Sequence, residues 1–248
     1  MANHPDILPP LPCGKLLPMH ALPHLSAVDW ISLVLFFACW GGYAWFSEHS
    51  RWGDSGLVRT TQTYRLDWAR RMMEREVRVA DSTLIGNLMT SVSFYANTTI
   101  YIIAGLVAAL GASDKLISVT AELPFGGIGN RELLEIKLML VLVSFVFAYF
   151  KFTWSLRQFN LLSILVGAAP QGQADQPINE KYAQRVAGAN NLAGDDFNRG
   201  IRAYYFGLAA SGWLLSPLVL GTLALTVLVV LYRRDFRSPA LELLRDKP

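Results

Sequence analysis

Cysteine and histidine are scarce in this sequence, which limits the sites that it can build. Its 248 residues include two cysteines and four histidines. Cys13 lies in a proline-rich stretch and Cys39 in an apolar run, so a disulfide framework is not expected, and neither residue has metal-ligand spacing. His4, His20 and His24 are scattered through the same proline-rich stretch, where no helical pairing is available. We therefore predict no metal site.

Motifs of nucleotide binding and covalent catalysis are also missing. The glycine-rich stretch 124–129 does not follow a β-strand pattern and is not a dinucleotide fingerprint. The sequence has no nucleophile elbow and no phosphate-binding loop, and its apolar runs contain no histidine that could ligate a haem. We therefore expect that the protein is not an enzyme and binds no cofactor.

Charge of either sign is modest and is interrupted by apolar sequence. Charged residues make up 17% of the chain, and the net charge is +3. Because the lysines and arginines lie between apolar runs, we interpret them as determinants of membrane topology rather than as a nucleic-acid surface. Nucleic acid is therefore not an expected partner.

Apolar sequence, by contrast, is abundant. Hydrophobic residues make up 52% of the chain and the mean hydropathy is +0.31, which is typical of membrane proteins. A membrane-spanning helix needs about 20 apolar residues. The sequence predicts an all-α, polytopic membrane protein with four transmembrane helices, surrounded by membrane lipids in a bacterial cytoplasmic (inner) membrane. The predicted spans lie at 25–46, 84–110, 135–156 and within 195–232.

The rest of the sequence divides into tails, loops and a single domain. Prolines block regular structure near the N-terminus, and Pro217 is expected to kink the last span. The predicted divisions are a proline-rich tail at 1–24, one transmembrane domain at 25–232, a short interfacial or re-entrant piece at 161–166, a loop at 168–194 and a C-terminal tail at 233–248.

A charged connector helix is predicted over residues 57–83, running on into the second span. Its apolar face recurs at spacings of three and four and comprises Leu66, Ala69, Met73, Val77, Ala80 and Leu84. The helix either packs by this face in a solvated setting or lies on anionic lipid. Because positive charge stays inside, its arginines place the connector in the cytoplasm and both termini outside.

A dense polar cluster follows the third apolar run. Ionisable groups within or beside a span are costly, so they mark candidate sites. The predicted anion- or lipid-binding residues are Lys151, Arg157, Arg199 and Arg202. We expect Arg157 to be buried and paired, and to share a space with Arg202. The charge between them would come from Asp195 and Asp196, or from a lipid headgroup or a permeating anion.

Further polar side chains lie on the second span and near the polar cluster. Small hydroxyls and amides commonly hold membrane helices together, and they also line wet paths. Both alternatives remain open. The residues concerned are Asn87, Ser91, Tyr95, Asn97, Thr98, Gln158, Asn160, Asn198 and Tyr205.

Three stretches carry a resemblance to a known family. They are 68–81, then 151–170 with the sequence KFTWSLRQFNLLSILVGAAP, and 197–206 with the sequence FNRGIRAYYF. Together they resemble the domain-of-unknown-function 599 family of multi-span membrane proteins. The resemblance implies a four-span membrane protein and no particular reaction, substrate or catalytic residue.

Two functions fit these observations. The first is a homo-oligomeric pore- or transport-like protein, which the polar second span and the basic cluster favour. The alternative is a non-catalytic accessory or scaffold subunit of a larger membrane complex, which the charged connector helix and the polar helix contacts favour. The mass of the purified protein would distinguish a symmetric homo-oligomer from a complex with other subunits.

Overall fold

The computed structural model of the protein describes residues 25–49, 56–121, 131–170 and 176–245. Every regular element within these ranges is a helix, which confirms the all-α fold class. The predicted tail 1–24 and the glycine-rich stretch 124–129 lie outside the described residues. The helices are α1 (Ala27–His49), α2 (Leu57–Glu74), α3 (Val79–Gly111), α4 (Ser113–Ala121), α5 (Arg131–Gly167), α6 (Gln176–Ser211), α7 (Pro217–Phe236) and α8 (Pro239–Arg245), with a 3-10 turn at Gly212–Leu214.

Four helical stretches are long and apolar enough to cross a membrane, which confirms the predicted number of such helices. Each is longer than the roughly 20 residues that a bilayer requires. They are Ala27–Glu48, Val79–Gly111, Arg131–Gly167 and Pro217–Leu244. The protein is therefore an integral membrane protein of polytopic, all-α architecture.

The centre of the bundle is filled by aromatic side chains. Trp40 of α1 stacks on Phe206 of α6 with ring centroids 5.7 Å apart, and Phe36 of α1 meets Phe206 edge to face. Phe145 of α5 is buried in the same cluster. Aromatic pairs of this kind contribute about 0.5–1.5 kcal/mol beyond the area that they bury. They fix α6 between α1 and α5.

Small residues let α6 lie close along α5. Gly200 faces the ring of Phe152, and a Cβ atom added there would lie 2.6 Å from that ring. Small residues at helix contacts allow such close backbone approach. Within the stretch 168–194, predicted as a loop with a short helix at 180–186, residues 176–194 are helical. Small side chains form much of the buried face of this stretch, so its apolar pattern is weak. Its buried alanines are Ala183, Ala187, Ala189 and Ala193.

Helices α6 and α7 run in opposite directions along α1. The Trp213 indole N–H, just after α6, donates to Asp29 at the start of α1 (2.8 Å). Arg202, earlier in α6, contacts Glu48 at the end of α1. The Tyr43 hydroxyl of α1 donates to Asp235, in the last turn of α7 (2.6 Å). Helix α6 is therefore antiparallel to α1, and α7 is parallel to it.

The predicted single span within 195–232, kinked at Pro217, is therefore wrong. The chain reverses direction at residues 212–216. Ser216 caps α7 by accepting a hydrogen bond from the Val219 N–H (3.2 Å), and Pro217 occupies the start of α7, where a helix needs no hydrogen-bonded N–H. The proline begins a new helix instead of bending a continuous one.

The first and last described residues consequently lie at opposite ends of the bundle. Helix α1 begins beside Trp213, whereas α8 contacts α2 past the other end of α1, where the Tyr64 hydroxyl donates to the Leu244 carbonyl (2.9 Å). This arrangement of the described ends differs from the expectation that both termini lie outside, which stays a prediction. The cause of this arrangement is the second half of α6, which lies beside α1 over most of its length. Arg199 and Arg202 lower the hydropathy of that segment, which is not among the four stretches apolar enough to cross a membrane.

The third apolar run belongs to one continuous helix, α5, so a separate interfacial piece at 161–166 is not formed. Polar groups in the second half of α5 bind α6 instead. The Ser155 hydroxyl donates to the Ala193 carbonyl (2.7 Å), and the Lys151 ammonium donates to Asp196 (3.1 Å). These contacts give hydrogen-bonding partners to polar side chains within α5.

The predicted connector helix 57–83 is broken at residues 75–78. The Arg78 guanidinium donates to the carbonyls of Ala169 (2.7 Å) and Pro170 (2.8 Å), just after α5. Basic side chains commonly satisfy the free carbonyls near a helix C-terminus. Of the predicted apolar face, Leu66, Ala69 and Met73 pack into the core, whereas Val77, Ala80 and Leu84 are exposed.

The predicted C-terminal tail 233–248 is largely structured. Helix α7 continues to Phe236, and α8 follows it. Leu241 of α8 is only 1% exposed, and the bond from Tyr64 to the Leu244 carbonyl holds α8 against α2. Sequence composition alone did not indicate this docking because α8 is only 7 residues long.

Candidate functional site

A polar cavity of about 370 Å³ opens at the end of the bundle that holds α2. Helices α1, α2, α6 and α7 all contribute to its wall. We call it the arginine cavity because four arginines line it. The lining residues are Ser47, Glu48, Val58, Arg59, Gln62, Asp195, Asn198, Arg199, Arg202, Arg234 and Asp235.

One carboxylate joins two of these arginines. Arg202 is 9% exposed and donates to the Ser47 hydroxyl and to Glu48 Oε1, the latter at 3.0 Å. Arg199 Nε donates to the same Glu48 oxygen at 2.9 Å. Charged groups at a membrane boundary are stabilised when they pair in this way. Glu48 therefore fixes the end of α1 to the middle of α6.

A second carboxylate fixes α7 to α1. Asp235 accepts a hydrogen bond from the Tyr43 hydroxyl (2.6 Å) and one from Arg234 Nε (3.2 Å). Asp235 is buried and Arg234 is half-buried. The wall of the arginine cavity is thus built from hydrogen-bonded charges on three helices.

The third carboxylate, Asp195, lies where α6 meets α2. Burial raises its pKa, and the nearby guanidinium of Arg65 works against that rise. Burial likewise lowers the pKa of Arg65, an effect that Asp195 opposes. Each group therefore opposes the effect of burial on the pKa of the other.

The four residues predicted to bind anions do not form one site. Arg199 and Arg202 line the arginine cavity, whereas Lys151 pairs with Asp196. Arg157 is exposed, and its guanidinium lies over the Trp154 ring with 5.3 Å between the guanidinium carbon and the ring centroid.

The predictions that Arg157 is buried and that it shares a space with Arg202 are therefore wrong. An exposed guanidinium keeps its hydration and gains about 0.5–1 kcal/mol over an aromatic face, so it needs no buried counter-ion. Asp196 does neutralise basic groups, as one alternative held, but its partners are Lys151 and Arg199.

The nine predicted polar-path residues are also divided among several places. Tyr95 packs in the core against Phe152, with ring centroids 5.6 Å apart. Asn198 lines the arginine cavity, and Tyr205 is 37% exposed. On α5, Gln158 is half-buried and Asn160 is exposed, and the remaining members, Asn87, Ser91, Asn97 and Thr98, lie on or beside the outward side of α3. They form no single path through a protomer.

The outward side of α3 carries a regular row of exposed residues, which we call the α3 seam. Its members alternate at spacings of four and three, and each is exposed. The seam consists of Thr83, Asn87, Thr90, Phe94, Asn97, Tyr101, Ala104 and Ala108.

The α3 seam differs in polarity from the outward faces of α1 and α5. Those faces expose apolar side chains such as Val34 and Phe147. In the α3 seam, Thr83 and Thr90 hydroxyls donate to carbonyls four residues earlier in the same helix. Within the described residues, the Asn87 and Asn97 amides form no such bond.

Sequence reasoning missed a buried pair of charges at the opposite end of the bundle. Lys137 is 4% exposed, with Nζ 5.8 Å from the centroid of the Trp213 ring, and Asp29 is 6% exposed and accepts from the same indole. The signal was present, because a lysine within an apolar run marks a polar contact. Among the residues that the structure describes, no cluster of three or more metal-ligating side chains occurs.

One protein family matches most of the chain. The family described as "Protein of unknown function, DUF599" matches residues 31–240. No curated protein and no solved structure matches the chain significantly. The matched range runs from α1 to the start of α8 and includes all three stretches that carry the resemblance. The chain therefore belongs to the DUF599 family of proteins of unknown function.

Proposed function

We propose that the protein is a homo-oligomeric membrane protein of the pore or transport type, assembled through the α3 seam. The observation that carries the proposal is the exposure of Asn87 and Asn97 on the outward side of a membrane helix. A buried amide without a hydrogen-bonding partner costs about 2–7 kcal/mol. The amides therefore favour an arrangement in which α3 meets a polar partner rather than lipid.

A second copy of the chain fits the α3 seam. The alternating spacing of four and three is that of helices packed at a shallow angle of about 20°. Copies in one membrane share an orientation, so an axis along the membrane normal brings identical residues to the same depth. An amide carries both donors and an acceptor, so Asn97 of one copy can bond Asn97 of another.

The packing of one protomer favours a polar route between copies rather than through one copy. Trp40, Phe36 and Phe206 fill the centre of the bundle. In a closed ring of copies, α3 helices would surround the common axis, and their amides and hydroxyls would line it. Polar rings of this kind set selectivity in channels.

The proposal includes a location in a bacterial cytoplasmic (inner) membrane and no enzymatic activity. Its support is the concentration of arginine at the end of the bundle that holds α2, as positive-inside topology requires. Membrane fractionation tests the location, and labelling of cysteines introduced at the two ends of the bundle tests the orientation.

The mass of the purified protein tests the assembly. We expect a defined homo-oligomer by light scattering in mild detergent, and solute flux after reconstitution into vesicles. A single chain that co-purifies with other subunits would instead support the accessory or scaffold function. A monomer without partners and without flux would contradict both.

Two double variants sharpen this test. Asn87→Leu with Asn97→Leu removes the amides of the α3 seam and should reduce both the oligomeric mass and the flux. Thr222→Leu with Thr226→Leu, on exposed positions of α7, is the matched control because it also removes two polar groups from a span. If the control variant dissociates and the amide variant does not, the α3 seam is not the interface.

A further inference from the structure

The arginine cavity is a second candidate for function, independent of the α3 seam. Its volume of about 370 Å³ falls in the usual range of ligand pockets, about 300–1,000 Å³. It lies at the end of α1, close along the chain to Trp45, whose ring is exposed. Exposed tryptophans commonly mark the depth of lipid headgroups.

Positive charge exceeds negative charge in the lining of the arginine cavity. Four arginines face three carboxylates. Glu48 is shared by Arg199 and Arg202, and Asp196 is shared by Arg199 and Lys151, so two carboxylates serve three basic groups. The balance of charge therefore favours an anionic ligand.

The arginines retain hydrogen-bonding capacity beyond their contacts in the wall. A guanidinium carries five N–H donors. Arg202 donates from one nitrogen to Ser47 and from another to Glu48. Arg199 donates from Nε to Glu48, and its Nη1 atom lies 3.5 Å from a carboxylate oxygen of Asp196. Planar guanidiniums recognise phosphate by paired hydrogen bonds.

We propose that the arginine cavity binds a phosphate-bearing group, supplied either by an anionic lipid headgroup or by a free phosphate compound. Both sources present the same oxygens to Arg59, Arg199, Arg202 and Arg234. A headgroup would enter from the membrane boundary beside α1, where anionic lipids of the cytoplasmic leaflet concentrate. A free phosphate compound would enter from the aqueous side, past α2.

Thermal unfolding of the full chain in detergent tests the shared chemistry. Inorganic phosphate should raise the unfolding temperature of the wild type, as should added phosphatidylglycerol. Arg59 is at an exposed position of the wall. In the Arg59→Gln variant, the affinity for the probe that stabilises the wild type should fall by about 10–100-fold, because one charge-assisted hydrogen bond to the phosphate is lost. Arg70→Gln is the control, since Arg70 lies on the same helix and pairs with Glu180.

Each result decides between the sources or rejects the site. A shift with phosphate in lipid-free protein, without retention of phosphatidylglycerol, assigns a free phosphate compound. Retention of phosphatidylglycerol by native mass spectrometry, lost in Arg59→Gln and kept in Arg70→Gln, assigns a lipid headgroup. The proposal is overturned if neither probe acts on the wild type, or if both arginine variants respond alike. Arg234→Gln, on α7, repeats the test if Arg59→Gln does not fold.

Discussion

Gly200 determines how closely α6 can approach α5. A Cβ atom there would lie 2.6 Å from the Phe152 ring, and Phe152 is fully buried, so the ring has little room to move. Overpacking of this kind costs about 1–3 kcal/mol. We expect Gly200→Ala to lower the free energy of unfolding in detergent by that amount, seen as a lower unfolding temperature.

Gly188 supplies the matched control on the same helix. A Cβ atom at Gly188 has no heavy atom within 4 Å. Alanine favours helix over glycine by about 0.8–1.0 kcal/mol, so Gly188→Ala should be neutral or stabilising. Equal destabilisation by the two substitutions would show that the loss at Gly200 is not steric.

Asp195 should make the stability of the protein depend on pH. Burial raises its pKa despite the opposing charge of Arg65. A group with a raised folded-state pKa contributes stability that is present below its unfolded value, about 3.9, and is lost as pH rises through the folded value. We expect Asp195→Asn to gain stability relative to the wild type as pH rises from about 4 to 7, measured by thermal unfolding.

Glu180 provides a control of opposite sign. Arg70 donates two hydrogen bonds to it, at 2.9 and 2.7 Å, and these lower its pKa. Its contribution is therefore present above the unfolded pKa and is lost as pH falls through the folded value. Glu180→Gln should lose stability relative to the wild type as pH rises towards the unfolded value of about 4.3, with little further change above about 5. A shift of the same sign in both variants would reject the assignment.

Single residues also show what the sequence could predict about the site. The polar character of Lys151, Arg199 and Arg202 was visible, and the structure brings the two arginines into one cavity wall. Their partners were not visible, because Glu48 lies more than 150 positions away along the chain. The burial of Arg157 was predicted wrongly for a related reason. Which side of α5 is buried depends on which helices pack against it, and the sequence does not show that arrangement.

At the scale of elements, α8 is a short helix held by few contacts. Leu241 is 1% exposed and supplies its main buried side chain. Replacing a buried leucine with alanine costs about 2–5 kcal/mol. We expect Leu241→Ala to detach α8, so that hydrogen exchange rises over 239–245 while exchange in α5 stays unchanged.

Leu243 on the same helix is 78% exposed. Leu243→Ala should therefore leave hydrogen exchange of α8 as in the wild type, because it removes little buried apolar area. If exchange over α5 rises together with that over α8 in Leu241→Ala, α8 is part of the bundle's cooperative unit rather than a locally docked element.

Apolar run length predicts how many long apolar helices there are, and it gives the bounds of α1 and α3 better than those of α5 and α7. The four apolar helices follow directly from run length. The break between α2 and α3 and the reversal before α7 do not, because each depends on a tertiary contact. Arg78 binds carbonyls beyond α5, and Trp213 binds Asp29. The first half of α6 was mostly predicted as loop for the opposite reason: alanines form much of its buried face, and they carry little hydropathy.

At the scale of the whole molecule, the ends of the bundle differ in charge. The end with α2 and α8 carries many basic residues, including Arg70, Arg78, Arg199 and Arg234, whereas the other end has Lys115 and Arg131. Positive charge on short loops is retained in the cytoplasm. The α2 end is therefore expected to be cytoplasmic, as the sequence also predicts for the connector.

This orientation leads to a prediction about the termini that differs from the one made from sequence. Because α7 runs parallel to α1, the C-terminal helix α8 should be cytoplasmic and the start of α1 external. We expect a cysteine at Ala240 to react with a membrane-impermeant maleimide only after the cells are permeabilised. A cysteine at Ser118, in α4 at the other end, should react in intact cells, with both native cysteines replaced by alanine. Labelling of both positions from outside would mean that the second half of α6 does not cross the membrane, and the reverse pattern would invert the whole bundle.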